Sequence, residues 1–166
     1  MTGQTGRSLL PRPAASYGTE EMAALLTAGA RLAGTHAAAA AAHLLIFTEL
    51  PGGRDFARHV QVDVVTSHLD GAAVLGAWVK DWDALLADDG IYLTGSGRRM
   101  LQIAASYAAG HPVDLSENGS GLGTAHARRL IEAVIIGAGM AEFYTVTGTS
   151  RLDELNARRS DLAGGR

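Results

Sequence analysis

Between Thr35 and Leu50 the chain reads THAAAAAAHLLIFTEL. Alanine loses no side-chain entropy in a helix and adds almost no bulk. The run predicts a helix capped by Thr35 and reaching about Thr48, with Pro51-Gly52-Gly53 ending it firmly. Its nearly apolar stretch, residues 37–47 with His43 inside, is too short for a bilayer, which needs roughly 20 residues. Only 5% of the chain is aromatic while 47% is hydrophobic. The core is therefore expected to consist of small side chains and closely approaching backbones. A length of 166 residues suits one ordinary domain with a real core.

The flanking sequence supplies the other elements. Residues 1–18, rich in Gly, Thr, Ser, Pro and Arg, are expected to form a flexible arm. Thr19 offers an N-cap, and Glu20 and Glu21 suit the helix start that follows. That helix should run to Leu32 or Ala33 and stop at Gly34. Asp55-Phe56-Ala57-Arg58 reads as one helical turn. In "HVQVDVV" Val60, Val62 and Val64 alternate with Gln61 and Asp63, a strand pattern. "SHLDG" is a turn and "AAVLGAWV" a partner strand, so a hairpin is expected.

Further along, Asp81 can cap "WDALLADD", ahead of Gly90. Thr94 or Ser96 can start "GRRMLQIAASYAA", which Gly110 stops. On that helix Leu101, Ala104, Ala105 and Ala108 share a stripe, with Met100, Ile103 and Tyr107 beside it. Pro112 imposes an extended link. The helix from Thr124 to about Ala138 is nearly all apolar from Leu130 to Ile136 and is expected to be buried. "EFYTVT", residues 142–147, reads as a third short strand, and the polar end as a loose helix. The expected fold is thus an α-rich α+β domain over residues 19–147, four or five helices around a short antiparallel β-hairpin, followed by a polar tail over 148–166.

The formal net charge of −3 argues against a broadly basic nucleic-acid surface. The chain has no cysteine, which excludes disulfides, cysteine nucleophiles and thiolate zinc sites. Residues 1–18 contain no apolar segment of secretory type, and a soluble cytoplasmic protein without membrane association is expected. None of the six histidines (His36, His43, His59, His68, His111, His126) forms an i, i+4 pair, so no metal site is assigned. Asp81, Asp83, Asp88 and Asp89 read as a cap and a solvated acidic face. No Gly-x-Ser-x-Gly elbow is present, and no catalytic residue is selected. Trp78 and Trp82 flank a strand-to-helix corner and read as core anchors, with a small-molecule pocket beside them as the alternative.

The segment that invites a functional reading is ENGSGLGTAHARRLIEAV, residues 117–134. Glycines ahead of a helix start can cradle phosphate through backbone N–H groups and the helix dipole. Gly119, Gly121, Leu122, Gly123, Arg128, Arg129, Leu130 and Glu132 give it a local resemblance to the second glycine box of histidine-kinase-type ATPases. The resemblance implies an ATP-phosphate loop at Gly119, Gly121, Gly123 and Thr124. That family also carries an early-helix asparagine for Mg²⁺, and the two asparagines here are Asn118 and Asn156. Its Asp-x-Gly-x-Gly box has Asp88 and Gly90 as counterparts, but Tyr92 replaces the second glycine. The spacing fits neither a Walker A loop nor a dinucleotide fingerprint. The plainer reading makes the glycines turn residues before a helix capped by Thr124 or Gly123.

A broader resemblance covers about residues 43–138. "LLIFTELPGGRDFARHV", "WVKDWDALL", "SGRRMLQIAASYAAGHPVDL" and "GLGTAHARRLIEAV" are similar, in that order, to a group of small uncharacterised actinobacterial proteins. It implies an α-rich fold and imports no activity. The function expected is a soluble interaction or accessory module without cofactor. Its partner would be a protein or a second copy, met through the alanine-rich or apolar helices. The alternatives are a degenerate ATP-binding protein and a small DNA-associated regulator using Arg98, Arg99, Arg128 and Arg129.

Overall fold

Small residues let the elements of this chain approach until backbone meets backbone. The computed structural model describes residues 10–68 and 70–164. In it the helices are α1 (Thr19–Ala33), α2 (His36–Leu45), α3 (Arg54–Ala57), α4 (Trp82–Ala87), α5 (Gly95–Ala109), α6 (Leu115–Gly119), α7 (Thr124–Gly137) and α8 (Ser150–Gly164). Strands β1 (Val60–Thr66) and β2 (Ala73–Val79) form an antiparallel hairpin, with Val60 opposite Val79 and Thr66 opposite Ala73. This is an α-rich α+β fold. Three of the eight helices span only four to six residues.

The alanine helix α2 is the middle of the packing. It lies against α1, α5 and α7, while the hairpin packs on α1 through β2. Ala40, Ala41 and Leu44 of α2 are buried with Met100, Ile103 and Ala104 of α5 and with Ala133 of α7. Phe56, Met22, Leu50 and Leu85 supply the larger core side chains. At the α1–β2 crossing a methyl group on Gly29 would fall on the carbonyl of Ala77, and one on Gly76 would lie 3.1 Å from the Gly29 Cα. Two glycines thus let a helix rest directly on a strand. Among the described residues no helix is long and apolar enough to cross a membrane.

Several boundaries differ from the sequence expectation, each for a local reason. Gly18, not Thr19, is the N-cap of α1, because its amide donates to the Glu21 carboxylate at 3.1 Å. Helix α2 stops at Leu45. There the Thr48 hydroxyl donates to the Leu45 carbonyl at 2.7 Å and accepts from the Leu50 amide at 3.2 Å, turning the chain early. Thr94 rather than Ser96 caps α5, accepting from Gly97 at 3.1 Å. The link after Pro112 contains the unexpected α6, capped by Asp114, whose Oδ1 accepts from the Ser116 and Glu117 amides. Ala108, expected on the inner stripe of α5, is exposed.

Two differences reach further. Residues 142–147 form no strand, because the Met140 carbonyl accepts from Phe143 and Tyr144 and curls the chain into a turn. The segment following α7 therefore stays beside that helix instead of joining the hairpin. Helix α7 is also not buried overall: Ala133 is its one fully buried residue. Of the expected arm, residues 1–9 lie outside the described residues. Residues 10–18 fold onto α1, with Arg12 paired to Glu21 at 3.0 Å and lying over the Tyr17 ring.

The glycine contact carries a test of this packing. Gly29→Ala should lower unfolding stability by roughly 1–3 kcal/mol through overpacking. Helix propensity alone would instead raise it by about 1 kcal/mol. Urea denaturation distinguishes the two signs, and a stabilised variant would mean that α1 does not rest on β2.

Candidate functional site

The glycine segment singled out by sequence becomes the connection between α6 and α7. Gly119 ends α6, Gly121 adopts a left-handed φ of +67°, and Gly123 caps α7 with extended backbone. Thr124, the other capping candidate, is the first helical residue. Within the loop Ser120 offers its carbonyl to the Arg99 guanidinium. A side chain at Gly121 would meet that same guanidinium, and one at Gly119 would meet Leu130. The turn geometry is thus accounted for by residues of the chain itself.

Each of the four arginines has its own local surroundings. Arg99 is drawn to the loop carbonyl, while Arg98 lines a separate groove with His111, Asp114 and Glu117. Arg128 and Arg129 both turn to Glu132 on their own helix, at 2.8 Å and 3.3 Å. The i, i+4 and i, i+3 spacings put these groups on adjacent positions of the helix surface.

Around Glu132 the structure assembles a polar cluster between α2 and α7. The His43 Nε2 lies 2.9 Å from the Glu132 carboxylate, and Arg129 Nη1 lies 3.1 Å from the same ring nitrogen. A carboxylate at that distance requires Nε2 to carry the proton and donate it. The Arg129 guanidinium also covers the Phe47 ring, 4.8 Å from its centroid, and His126 meets that ring edge-on at 5.2 Å. Burial, then the charge of Arg129, pushes the His43 pKa below its ordinary value, against the opposing pull of Glu132. Burial pushes the Glu132 carboxyl up. The hydrogen bonds from Arg128 and His43 and the charge of Arg129 outweigh it and hold the carboxyl below its ordinary range. The cluster is therefore a neutral imidazole between an ionised acid and Arg129, with Arg128 bound to the same acid.

Sequence reasoning missed this cluster, since His43 and Glu132 are 89 residues apart. Their shared signal was weak: one polar residue interrupting each of two apolar runs. Residues 141–146 fold back beside the cluster and leave a groove of about 230 Å³, with Tyr144, Thr145 and Val146 on one side and Arg128, Glu132 and Ile135 on the other.

The outward face of α7 and the turn after it carry the feature most unlike an ordinary surface. Ile131 is 51% exposed, Val134 47%, Phe143 74% and Tyr144 63%, with Met140 between them in the chain also exposed. Beyond them, among the described residues, α8 makes no extensive contact with another element, and its Leu155 and Leu162 are exposed. Large apolar side chains left exposed at neighbouring positions of α7 and of the turn after it are candidates for an interaction surface.

The acidic segment also differs from the expected solvated face. Asp81 caps α4, accepting from Ala84 at 3.0 Å. Asp88 is half-buried and accepts from His59 at 2.7 Å, Arg58 at 3.2 Å and the Gly90 amide at 2.8 Å. The His59 hydrogen bond leads the effects that hold its pKa below the ordinary value. Among the described residues no group of three His, Asp or Glu side chains is arranged to hold a metal ion.

No family model, curated protein or solved structure matches this chain. The functional reading therefore rests on its own geometry.

The cluster makes stability depend on pH with a definite sign. The unfolded chain protonates His43 near its ordinary pKa of about 6.5, whereas the folded state resists that proton. As pH falls through this range the unfolded state binds more protons, so stability is lost. Glu132 adds a second loss as pH falls from its ordinary value of about 4.3 through its lower folded value. In urea denaturation at about pH 7.5 and about pH 5.5, His43→Gln should lose less stability between the two conditions than the parent. Equal losses would remove His43 as the source.

Proposed function

We propose that the protein is a non-catalytic interaction module that pairs with a second copy of itself through the apolar band of α7, the turn at 140–144 and α8. The single observation supporting this reading is that Ile131 and Val134 of α7 and Phe143 and Tyr144 of the following turn are all exposed to solvent. Burial returns about 25 cal/mol for each Å² of apolar surface removed from water. A helix face with two branched aliphatic residues, followed by two aromatic ones, has the composition of an interface centre.

Charge favours a second copy over a partner of one sign. Helix α8, SRLDELNARRSDLAG, carries three arginines and three acids, so it presents no net field that would select a basic or acidic partner. A two-fold contact places the same patch on both sides and requires such self-complementarity. Beside the band, Arg128 and Glu132 satisfy one another within the chain, while pairing requires the exposed Glu142 of the turn to meet an arginine of the second copy. The alanine-rich helix, the other route to association expected from sequence, is occupied internally by α1, α5 and α7. The proposal keeps the cytoplasmic location expected from the sequence.

Light scattering across a concentration series tests the reading. The parent chain should shift from monomer to dimer. Ile131→Glu with Val134→Glu should weaken that equilibrium by roughly a hundredfold or more, as for two central interface residues. A parent that stays monomeric, or a double variant that still pairs with unchanged affinity, would overturn the proposal.

A further inference from the structure

A second concavity lies on the other side of α2, where α1, α2, β2, α4 and the end of α5 converge. Its volume is about 250 Å³, near the lower end of the roughly 300–1,000 Å³ of ligand pockets. Of the fifteen residues around it eight are alanine, and none is Asp, Glu, Lys, Arg or His. Trp78, Trp82 and Tyr107 provide its aromatic wall. In contrast, the groove beside α7 contains His43, Arg128 and Glu132, and the one beside α6 contains Arg98, Asp114 and Glu117.

The fold explains why the space is open and why it is stiff. Methyl side chains on α2 are too short to reach the β2–α4 corner. Its walls are a strand and helices rather than loops. Strand β2 is fixed by the glycine crossing with α1. Tyr107 is held over Gly137, where an added methyl would meet its ring at 2.6 Å. Three of the lining residues carry polar tips. Among the described residues, the Trp78 and Trp82 indole N–H groups and the Tyr107 hydroxyl make no hydrogen bond to protein. Burial raises the Tyr107 pKa, so the phenol keeps its proton and remains a donor.

We propose that this cleft binds a small uncharged ligand with an aromatic or aliphatic body and a hydrogen-bond acceptor. An anion or cation would be desolvated there with no opposite charge to meet it. A neutral ring or short chain instead covers apolar wall and offers its acceptor to one of the three donors. The proposal concerns a surface other than the α7 band and does not depend on self-association.

Trp78 and Trp82 are the two tryptophans of the chain, so intrinsic fluorescence reports directly on the cleft. The full chain is titrated with neutral N-phenyl-1-naphthylamine and, separately, with its charged relative 1-anilinonaphthalene-8-sulfonate. The neutral probe should bind saturably, one per chain, with energy transfer from tryptophan. Ala38→Leu, which fills the wall, and Ala108→Leu, at the exposed margin, should each weaken it by about tenfold or more, as steric changes in apolar pockets do. Ile131→Glu with Val134→Glu should leave it unchanged. Equal affinity for the sulfonate, unchanged affinity in both alanine variants, or loss of binding in the α7 variant would overturn the proposal. Displacement of the probe as the chain dimerises would also do so, by assigning the cleft to a second copy.

Discussion

Ala40 and Ala41 of α2 are almost wholly removed from solvent because three helices converge on them. Methyl groups fill little space, so neighbouring helices must come near for dispersion contacts to form at all. Everything else in the fold accommodates that approach. Gly29 and Gly76 remove two side chains where α1 crosses β2, and Gly137 removes another beneath Tyr107. The bulky core residues come from the neighbours of the alanine run: Met100 and Ile103 on α5, Leu44 at the end of α2, and Phe56, Met22 and Leu50 on α3, α1 and the loop.

A thin central helix also has consequences at the surface. It can bury only a narrow strip of each neighbour. For α7 that strip contains Ala133, with Leu130 and Ile136 partly covered at its margins. Ile131 and Val134 of α7 face outward, while Ile135 borders the groove formed with residues 144–146. On the opposite side of α2 the same shortness of methyl groups leaves the cleft below Trp78 and Trp82. One compositional choice therefore produces both an exposed apolar face and an unfilled apolar hollow.

The legibility of the sequence follows from the range of each interaction. Thr35, Asp81, Gly34 and Gly110 act within a turn of their own helix and could be read directly. The alternation of Val60, Val62 and Val64 likewise announced its strand. Helix α7 was misjudged because apolar content reports what a helix could bury, whereas burial depends on partners supplied by distant segments. Tyr144 and Val146 have strand propensity, but the turn after Met140 decides otherwise. Gly29 gave a usable signal, a glycine interrupting a good helix, but not the identity of the backbone it meets. The polar cluster lay beyond local pattern altogether.

That cluster addresses a problem created by the alanine helix. Successive methyl groups are nearly equivalent, so sliding or rotating α2 against α7 would cost little in packing alone. With 3.6 residues per turn, Ala38, Ala41, Ala42 and Leu45 share one face of α2, while His36 and His43 lie on the opposite one. His36 lies against Gly139 at the far end of α7, where its ring would meet a side chain at 2.9 Å. His43 bonds to Glu132, and Phe47 is held between His126 and Arg129. These three contacts run antiparallel in sequence order and are satisfied together in one register. A displaced register would leave the Glu132 carboxylate partly buried without its imidazole donor, a larger penalty than any exchange of methyl contacts. The apolar face of α7 is thereby held facing outward.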